Sequence, residues 1–331
     1  MPKIQHTAVV GAGRMGKAIA IAFAYAGLQV KLIDAKERSI HDFVQYQRQV
    51  EQGIAQELML LSQIQFIQPE QISAIQANIQ LSDKSASIEY LKQCDLVLEG
   101  VPEKLQVKQD IFTWLDQHIA PDCIVASTTS TFLVTEIAKM LSYPERVVNA
   151  HWLNPAYLIP LVELSRSEQT SDQTVLALKS FLTSMGKVAV VCNAKAGYIV
   201  PRIQALAMNE AARMVEEGVA SAEDIDIAIR TGFGLRFSVL GLLEFIDWGG
   251  GDILYYASQY LERELGERYS TPEIVAENMR NGRNGLREQQ GFYQYEDVDI
   301  SSYKQHVLRT FLNRIEAAGL KPRFNMISSR R

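Results

Sequence analysis

Cysteine is scarce in this sequence. Cys94, Cys123 and Cys192 are the three it has, each in or beside an apolar run and none at the paired spacings of metal ligands or a disulfide framework. They read as buried thiols of a reducing compartment, and no metal is expected. Basic charge is not in excess either: 33 Lys and Arg stand against 38 Asp and Glu, a net charge of −5. That balance supplies no cationic face for nucleic acid or an anionic membrane, so neither is an expected partner. No apolar run approaches the ~20 residues of a membrane-spanning helix. The chain opens without a charged-then-apolar leader, its first apolar run being a short strand that leads into glycines. These absences point to a cytoplasmic protein whose partner is a small molecule.

The 331 residues, 47% of them hydrophobic, are enough for two cores. The first half alternates short apolar runs, at Thr7–Val10, Gln29–Ile33, Asp95–Glu99, Cys123–Ser127, Arg146–Ala150, Pro160–Leu164 and Lys187–Val191, with helical patterns. Such alternation predicts a Rossmann-type, doubly wound, mostly parallel sheet covered on both faces. Between Asp34 and Asp95 a glutamine-rich stretch is far longer than a simple crossover needs, and it predicts a helical hairpin standing off the sheet. After Cys192 only helical patterns continue, from Val200–Glu217 through Tyr303–Ala317. The expected division is a nucleotide-binding domain over 1–194 and an all-α domain over 195–331.

The run Val10-Gly11-Ala12-Gly13-Arg14-Met15-Gly16 follows a strand and opens a helix. Gly11 permits the tight turn, Gly13 lets backbone approach a pyrophosphate, and Gly16 lets helix and sheet pack closely, while the helix N-terminus offers free N–H groups to phosphate. Asp34 ends the second strand, where a carboxylate accepts from ribose hydroxyls and repels a 2′-phosphate, so the cofactor expected is NAD. Lys36 and Arg38 follow it closely and offer charge that would accommodate that phosphate. Arg14 either touches pyrophosphate or sits in solvent.

Ligands of such sheets gather beyond the C-terminal strand ends. Three segments end strands there: Glu99-Gly100-Val101-Pro102-Glu103, Ser127-Thr128-Thr129-Ser130, and His151. Of five histidines, only His151 has a carboxylate in a comparable constellation, Glu163 on the returning run. An imidazole takes a hydroxyl proton as hydride leaves the same carbon, and a glutamate on its far nitrogen fixes the tautomer. The competing reading is a hydrogen-bonded core histidine.

With these residues in hand, the chain resembles the L-3-hydroxyacyl-CoA dehydrogenase family over essentially its full length: Gly11–Gly16, Glu99–Glu103, Ser127–Ser130, His151–Pro155, Pro160–Glu163, Gly197–Arg202 and Gly291-Phe292-Tyr293. The resemblance implies His151 as general acid/base, Glu163 as its orienting partner, Ser130 and Asn154 beside the substrate, and Glu103, Lys108 and Ser127 near the nicotinamide ribose. It also implies a homodimer formed through the helical domain, and a short-chain substrate such as 3-hydroxybutyryl-CoA.

Two departures from the family pattern stand out. Gly-Phe-x-x-Asn-Arg reads Gly197-Tyr198-Ile199-Val200-Pro201-Arg202, so the substrate-holding asparagine is a proline. The lysine-rich helix over CoA corresponds to Ser39–Gln68, which holds Arg48 as its only cation. Asn154–Glu163 and Gly234-Leu235-Arg236-Phe237 are similar to the branch that oxidises free hydroxy acids, the L-gulonate dehydrogenases with lambda-crystallin and the L-carnitine dehydrogenases. Arg236 is either a bidentate partner for a substrate carboxylate or one half of an interdomain or dimer salt bridge. A crystallin-like or NAD-sensing protein without catalysis is the remaining alternative, against which the joint presence of His151, Glu163 and Ser130 argues.

Overall fold

The apolar runs of the first half form one eight-stranded sheet. Its strands are β1 (Thr7–Val10), β2 (Val30–Asp34), β3 (Ile79–Asp83), β4 (Leu96–Glu99), β5 (Ile124–Ser127), β6 (Val147–Trp152), β7 (Leu161–Arg166) and β8 (Val188–Asn193). A computed structural model describes residues 4–322. The strand order is β3-β2-β1-β4-β5-β6-β7-β8. From β3 to β6 every pair is parallel; β7 runs antiparallel to β6 and carries β8 parallel to itself. The chain winds outward from β1 through β2 to β3, then crosses to β4 on the other side of β1. The C-terminal ends of β1 and β4 therefore flank the switch point of the sheet, where a crevice opens.

β1, β4, β5 and β6 are buried at every position, which is why they read as continuous apolar runs and not as alternations. One face is covered by α1 (Arg14–Tyr25), α2 (Ile40–Gln63), α3 (Gln71–Ala77) and α7 (Asp172–Ser184), around a core that includes Phe23, Leu58, Trp152 and Phe181. The other is covered by α4 (Ile88–Leu91), α5 (Leu105–His118) and α6 (Val134–Ala138), around Phe112, Leu115 and Val125.

The glutamine-rich stretch departs from expectation in two ways. It contains the hairpin α2–α3, but also β3, which joins the sheet beside β2 as an edge strand. And α2, capped by Ser39 Oγ accepting from Asp42 N–H at 3.1 Å, buries Val50, Ile54, Leu58 and Leu61. These recur at helical spacing, so one stripe of an otherwise polar helix docks on the core.

Two compact units are distinguished, Met1–Ala207 and Met208–Arg331. The division falls within α8 (Val200–Glu216), beyond the expected 194/195, because residues 198–200 are hydrogen-bonded to the sheet unit. The second unit continues with α9 (Ala222–Ala228), a π-helical turn over Ile229–Phe233, α10 (Gly234–Phe237), α11 (Leu242–Gly249), α12 (Gly251–Leu265), α13 (Glu273–Arg280) and α14 (Ile300–Ala317). No extended strand occurs in it among the described residues. Buried Asp247 organises its Gly291-Phe292-Tyr293 segment: the carboxylate accepts from Phe292 N–H and Tyr293 N–H, both at 2.9 Å, and from Tyr295 Oη–H at 3.1 Å. A Cβ on Gly291 would fall 2.1 Å from Asp247 Oδ1, which excludes any side chain there.

All three cysteines are free; Cys94 and Cys123 are buried and Cys192 is half-buried. Burial pushes the Cys94 thiol up to about 12, far from a reactive thiolate. Among the described residues no helix is long and apolar enough to cross a membrane, and no cluster of His, Cys, Asp and Glu could hold a metal ion.

Candidate active site

A cavity of about 960 Å³ lies in the first unit, beyond the C-terminal ends of β1, β4, β5 and β6. Its lining runs from Gly11, Gly13 and Asp34 to Glu103, Ser130, His151 and Pro201. At the glycine-rich end, two glycines are dictated by packing. Gly11 sits at φ +108°, and a Cβ on it would be 2.6 Å from Gly100 O; a Cβ on Gly16 would be 1.8 Å from Gly11 O. Around Gly13, by contrast, nothing lies within 4 Å of a built Cβ. Gly13 is also the N-cap of α1 and supplies no side-chain cap, so the first-turn N–H groups are left for a ligand. An open cradle at an uncapped helix N-terminus fits the pyrophosphate of a dinucleotide.

Asp34, 3% exposed, closes the other side of this end. Its Oδ1 accepts from Lys36 N–H at 3.2 Å and its Oδ2 from Arg38 Nε–H. The Arg38 guanidinium lies 3.9 Å from the centre of the Tyr46 ring, and Tyr46 Oη donates to Ala12 O at 3.1 Å. The Arg38 cation is thus paired to the Asp34 carboxylate. That bond raises the Arg38 pKa further above its ordinary value. Met15 lines the cavity, whereas Arg14 is exposed and is not among the lining residues.

Deeper in, the ends of β4 and β5 are joined by a buried polar network. Glu99, fully buried, accepts from Lys108 Nζ at 2.9 and 3.0 Å, from Ser127 Oγ at 2.6 Å and from Val101 N–H at 2.7 Å. Lys108 also pairs with Glu103 Oε2 at 3.4 Å. Glu103 accepts in turn from Ser130 N–H at 2.7 Å and Thr129 Oγ1 at 3.0 Å. Lys108 and Ser127 therefore stand behind the cavity wall, committed to Glu99, and hold the loops on which Glu103 and Ser130 reach the cavity. The sequence signal for this network is a strand-ending acid, Glu99, with a lysine, Lys108, on the next helix.

His151 and Glu163 are directly opposed in the antiparallel register of β6 and β7, so both side chains project from one face of the sheet. His151 Nδ1 lies 2.7 Å from Glu163 Oε2. With a carboxylate as its partner, Nδ1 is assigned the proton and Nε2 carries the lone pair. Glu163, 0% exposed, spends its other oxygen on the N-terminus of α8, accepting from Ile199 N–H at 2.9 Å and Val200 N–H at 2.8 Å. The pair's carboxylate is thereby immobilised.

Asn154 lines the cavity just after β6, on a turn braced from behind. Lys187 Nζ donates to Ala156 O at 2.7 Å and Ile159 O at 2.9 Å, and burial lowers its pKa. Tyr157 Oη donates to Glu57 at 2.6 Å, tying the same turn to α2. Pro201 reaches the cavity, and so does Gln204 one turn along α8. Thr128, from the Ser127–Ser130 segment, also lines the cavity, and Gln204 is a cavity residue outside the sequence motifs. Arg236 belongs to the second unit, where it is exposed, donates from Nε to Gly232 O at 3.3 Å and lies 5.4 Å from the Phe245 ring centre. It forms no ion pair among the described residues.

Comparison with known proteins now bears on this geometry. Residues 6–195 match the family described as 3-hydroxyacyl-CoA dehydrogenase, NAD binding domain, and residues 197–295 match its C-terminal domain. The chain is 30% identical to a 5-formyl-3-hydroxy-2-methylpyridine 4-carboxylate 5-dehydrogenase of Mesorhizobium japonicum, over 88% of this chain and 91% of that protein. It is 31% identical to a probable 3-hydroxybutyryl-CoA dehydrogenase of Bacillus subtilis, over 89% of this chain and 99% of the relative. Among solved structures, a 3-hydroxyacyl-CoA dehydrogenase of Archaeoglobus fulgidus is similar at a TM-score of 0.75 and 30% identity, covering 95% of this chain and 99% of its own.

Proposed function

This chain belongs to the 3-hydroxyacyl-CoA dehydrogenase family and is an NAD-dependent oxidoreductase; we propose that it interconverts a short-chain L-3-hydroxyacyl-CoA, 3-hydroxybutyryl-CoA, with its 3-oxoacyl-CoA. The observation that carries the reading is the 2.7 Å bond between His151 Nδ1 and Glu163, in a cavity that the glycine cradle also lines. Gly11, Gly13 and Met15 with the α1 N-terminus would hold the cofactor's pyrophosphate, with Gly16 allowing their close packing, while Asp34 would hold its adenosine ribose and Glu103 its nicotinamide end. When bound, NAD would supply the acceptor for the hydride that leaves the carbinol carbon.

The chain's own residues handle the proton. His151 Nε2 takes it from the substrate hydroxyl, and Glu163 stabilises the resulting imidazolium through Nδ1. Ser130 Oγ and the Asn154 amide hydrogen-bond the reacting oxygen as it becomes a carbonyl. In reduction the same imidazolium returns the proton to the developing alkoxide. Lys108 and Ser127 contribute by holding Glu99 and Glu103 in place. The reading includes a cytoplasmic homodimer working in fatty acid metabolism. Support for self-association comes from Ile253, Tyr256 and Tyr260, which leave one face of α12 apolar and exposed.

A second reading keeps the machinery and changes the substrate to a free hydroxy acid such as L-carnitine or L-gulonate. Three observations favour it: Arg48 is the only cation in Ser39–Gln68, Pro201 occupies the asparagine position, and a relative is named for a pyridine carboxylate. A phosphate-rich CoA finds few charge-assisted partners on such a helix. NADH formation with 3-hydroxybutyryl-CoA, L-carnitine, L-gulonate and free 3-hydroxybutyrate separates the readings. Turnover of the CoA ester alone is the expected result, and turnover of only the free acids overturns it. Turnover of none, with NAD still bound, supports a protein without catalysis.

A further inference from the structure

We propose that Tyr198 is a positioning residue for His151, fixing the plane of the imidazole as Glu163 fixes its edge. The inference rests on the acid/base reading of that histidine. A histidine ring held by one hydrogen bond retains freedom, because its terminal torsion is broad. Glu163 grips Nδ1 at a single point, about which the ring can still tilt. The Tyr198 ring lies against it with centroids 4.9 Å apart and planes 21° from parallel, an offset stack that blocks the tilt. Edge and face together leave Nε2 one direction.

The tyrosine is itself held in place against its backbone preference. It follows Gly197 in a turn between β8 and α8 in which both residues have positive φ, +84° and +49°. The left-handed region suits glycine or asparagine and disfavours an aromatic residue. Such a conformation persists where surroundings over-determine it, and such residues gather at functional sites. Here the phenol donates to Thr129 O at 2.7 Å and accepts from Asn149 Nδ2 at 3.0 Å. Asn149 sits on β6 two residues before His151, and Thr129 is next to Ser130. One hydroxyl therefore joins the strand that carries the imidazole to the loop that carries the serine. Burial pushes the phenol pKa upward, so it works as a neutral group.

The test separates positioning from plain stability. Tyr198→Asn removes ring and hydroxyl while suiting the backbone, with Tyr198→Gly as a second variant should the first not fold; Tyr198→Phe keeps the stack. NADH formation from 3-hydroxybutyryl-CoA, or from free 3-hydroxybutyrate if wild type uses only that, is followed together with NAD affinity. The Asn variant is expected to lose about ten- to hundredfold in kcat, as misalignment of a reacting group does, with KM and NAD affinity within about threefold. The Phe variant should recover most of kcat. Added to His151→Ala, the Asn substitution should cost nothing further, since residues acting as a unit are not additive. An Asn variant that folds, binds NAD and turns over at the wild-type rate overturns the proposal. So does a kcat loss that is fully additive with His151→Ala. A His151→Ala enzyme of normal rate would instead sink the acid/base reading itself, leaving Tyr198 without a role to support.

Discussion

At the scale of single residues, the proposed basis of cofactor choice is Asp34 and what it holds. Its two oxygens accept from Lys36 N–H and Arg38 Nε, and the guanidinium is stacked on Tyr46. A nearby cation would ordinarily welcome a 2′-phosphate; here it is paired to a carboxylate, which would repel one. Asp34→Ala removes the repulsion and frees Arg38 at once. NAD is expected to bind more weakly and the NAD-over-NADP preference to fall by about tenfold or more, a factor worth ~1.4 kcal/mol. Measuring both dissociation constants checks this, and an unchanged ratio would show that Asp34 does not face the ribose.

Elements differ in how far the sequence disclosed them. β1, β4, β5 and β6 were readable because burial on both faces leaves an uninterrupted apolar run. β3 was not: it is an edge strand of five residues, Ile-Gln-Leu-Ser-Asp, with two buried positions and polar Asn78 and Lys84 on either side. The attachment of α8 was hidden too, since it reads as one unbroken helix and only tertiary hydrogen bonds bind its start to the sheet. The site followed the same division. His151 and Glu163 were legible because an antiparallel pair was implied by their strands, whereas the second duty of Glu163 at α8, the Tyr198 stack and the Glu99–Lys108 pair depend on contacts between distant elements. Asp247 is the parallel case in the helical unit, with three donors converging on a carboxylate 2% exposed. Asp247→Ala strands one buried hydroxyl and two part-buried N–H groups, and is expected to cost about 2–4 kcal/mol, from about 1–3 kcal/mol per unsatisfied buried group, discounted for the two N–H groups that water reaches. Denaturant unfolding measures it; a loss under about 0.5 kcal/mol, within the spread of surface substitutions, would show that the Gly291–Tyr295 segment does not depend on this carboxylate.

Across the whole molecule, binding and chemistry are assigned to different parts of one sheet. The proposed dinucleotide cradle comes from β1, α1 and β2; the proposed proton-transfer pair comes from β6 and β7, which lie beyond β4 and β5 on the far side of the switch point. The two meet only at the cavity, so an insult to one should spare the other. Replacing His151 by alanine and measuring kcat and the NAD dissociation constant on the same preparation tests that separation most directly. The rate is expected to fall by about 10²–10⁴, the usual worth of a positioned general base, while NAD affinity stays within about threefold. A rate left intact, or an affinity lost in step with the rate, would contradict the account.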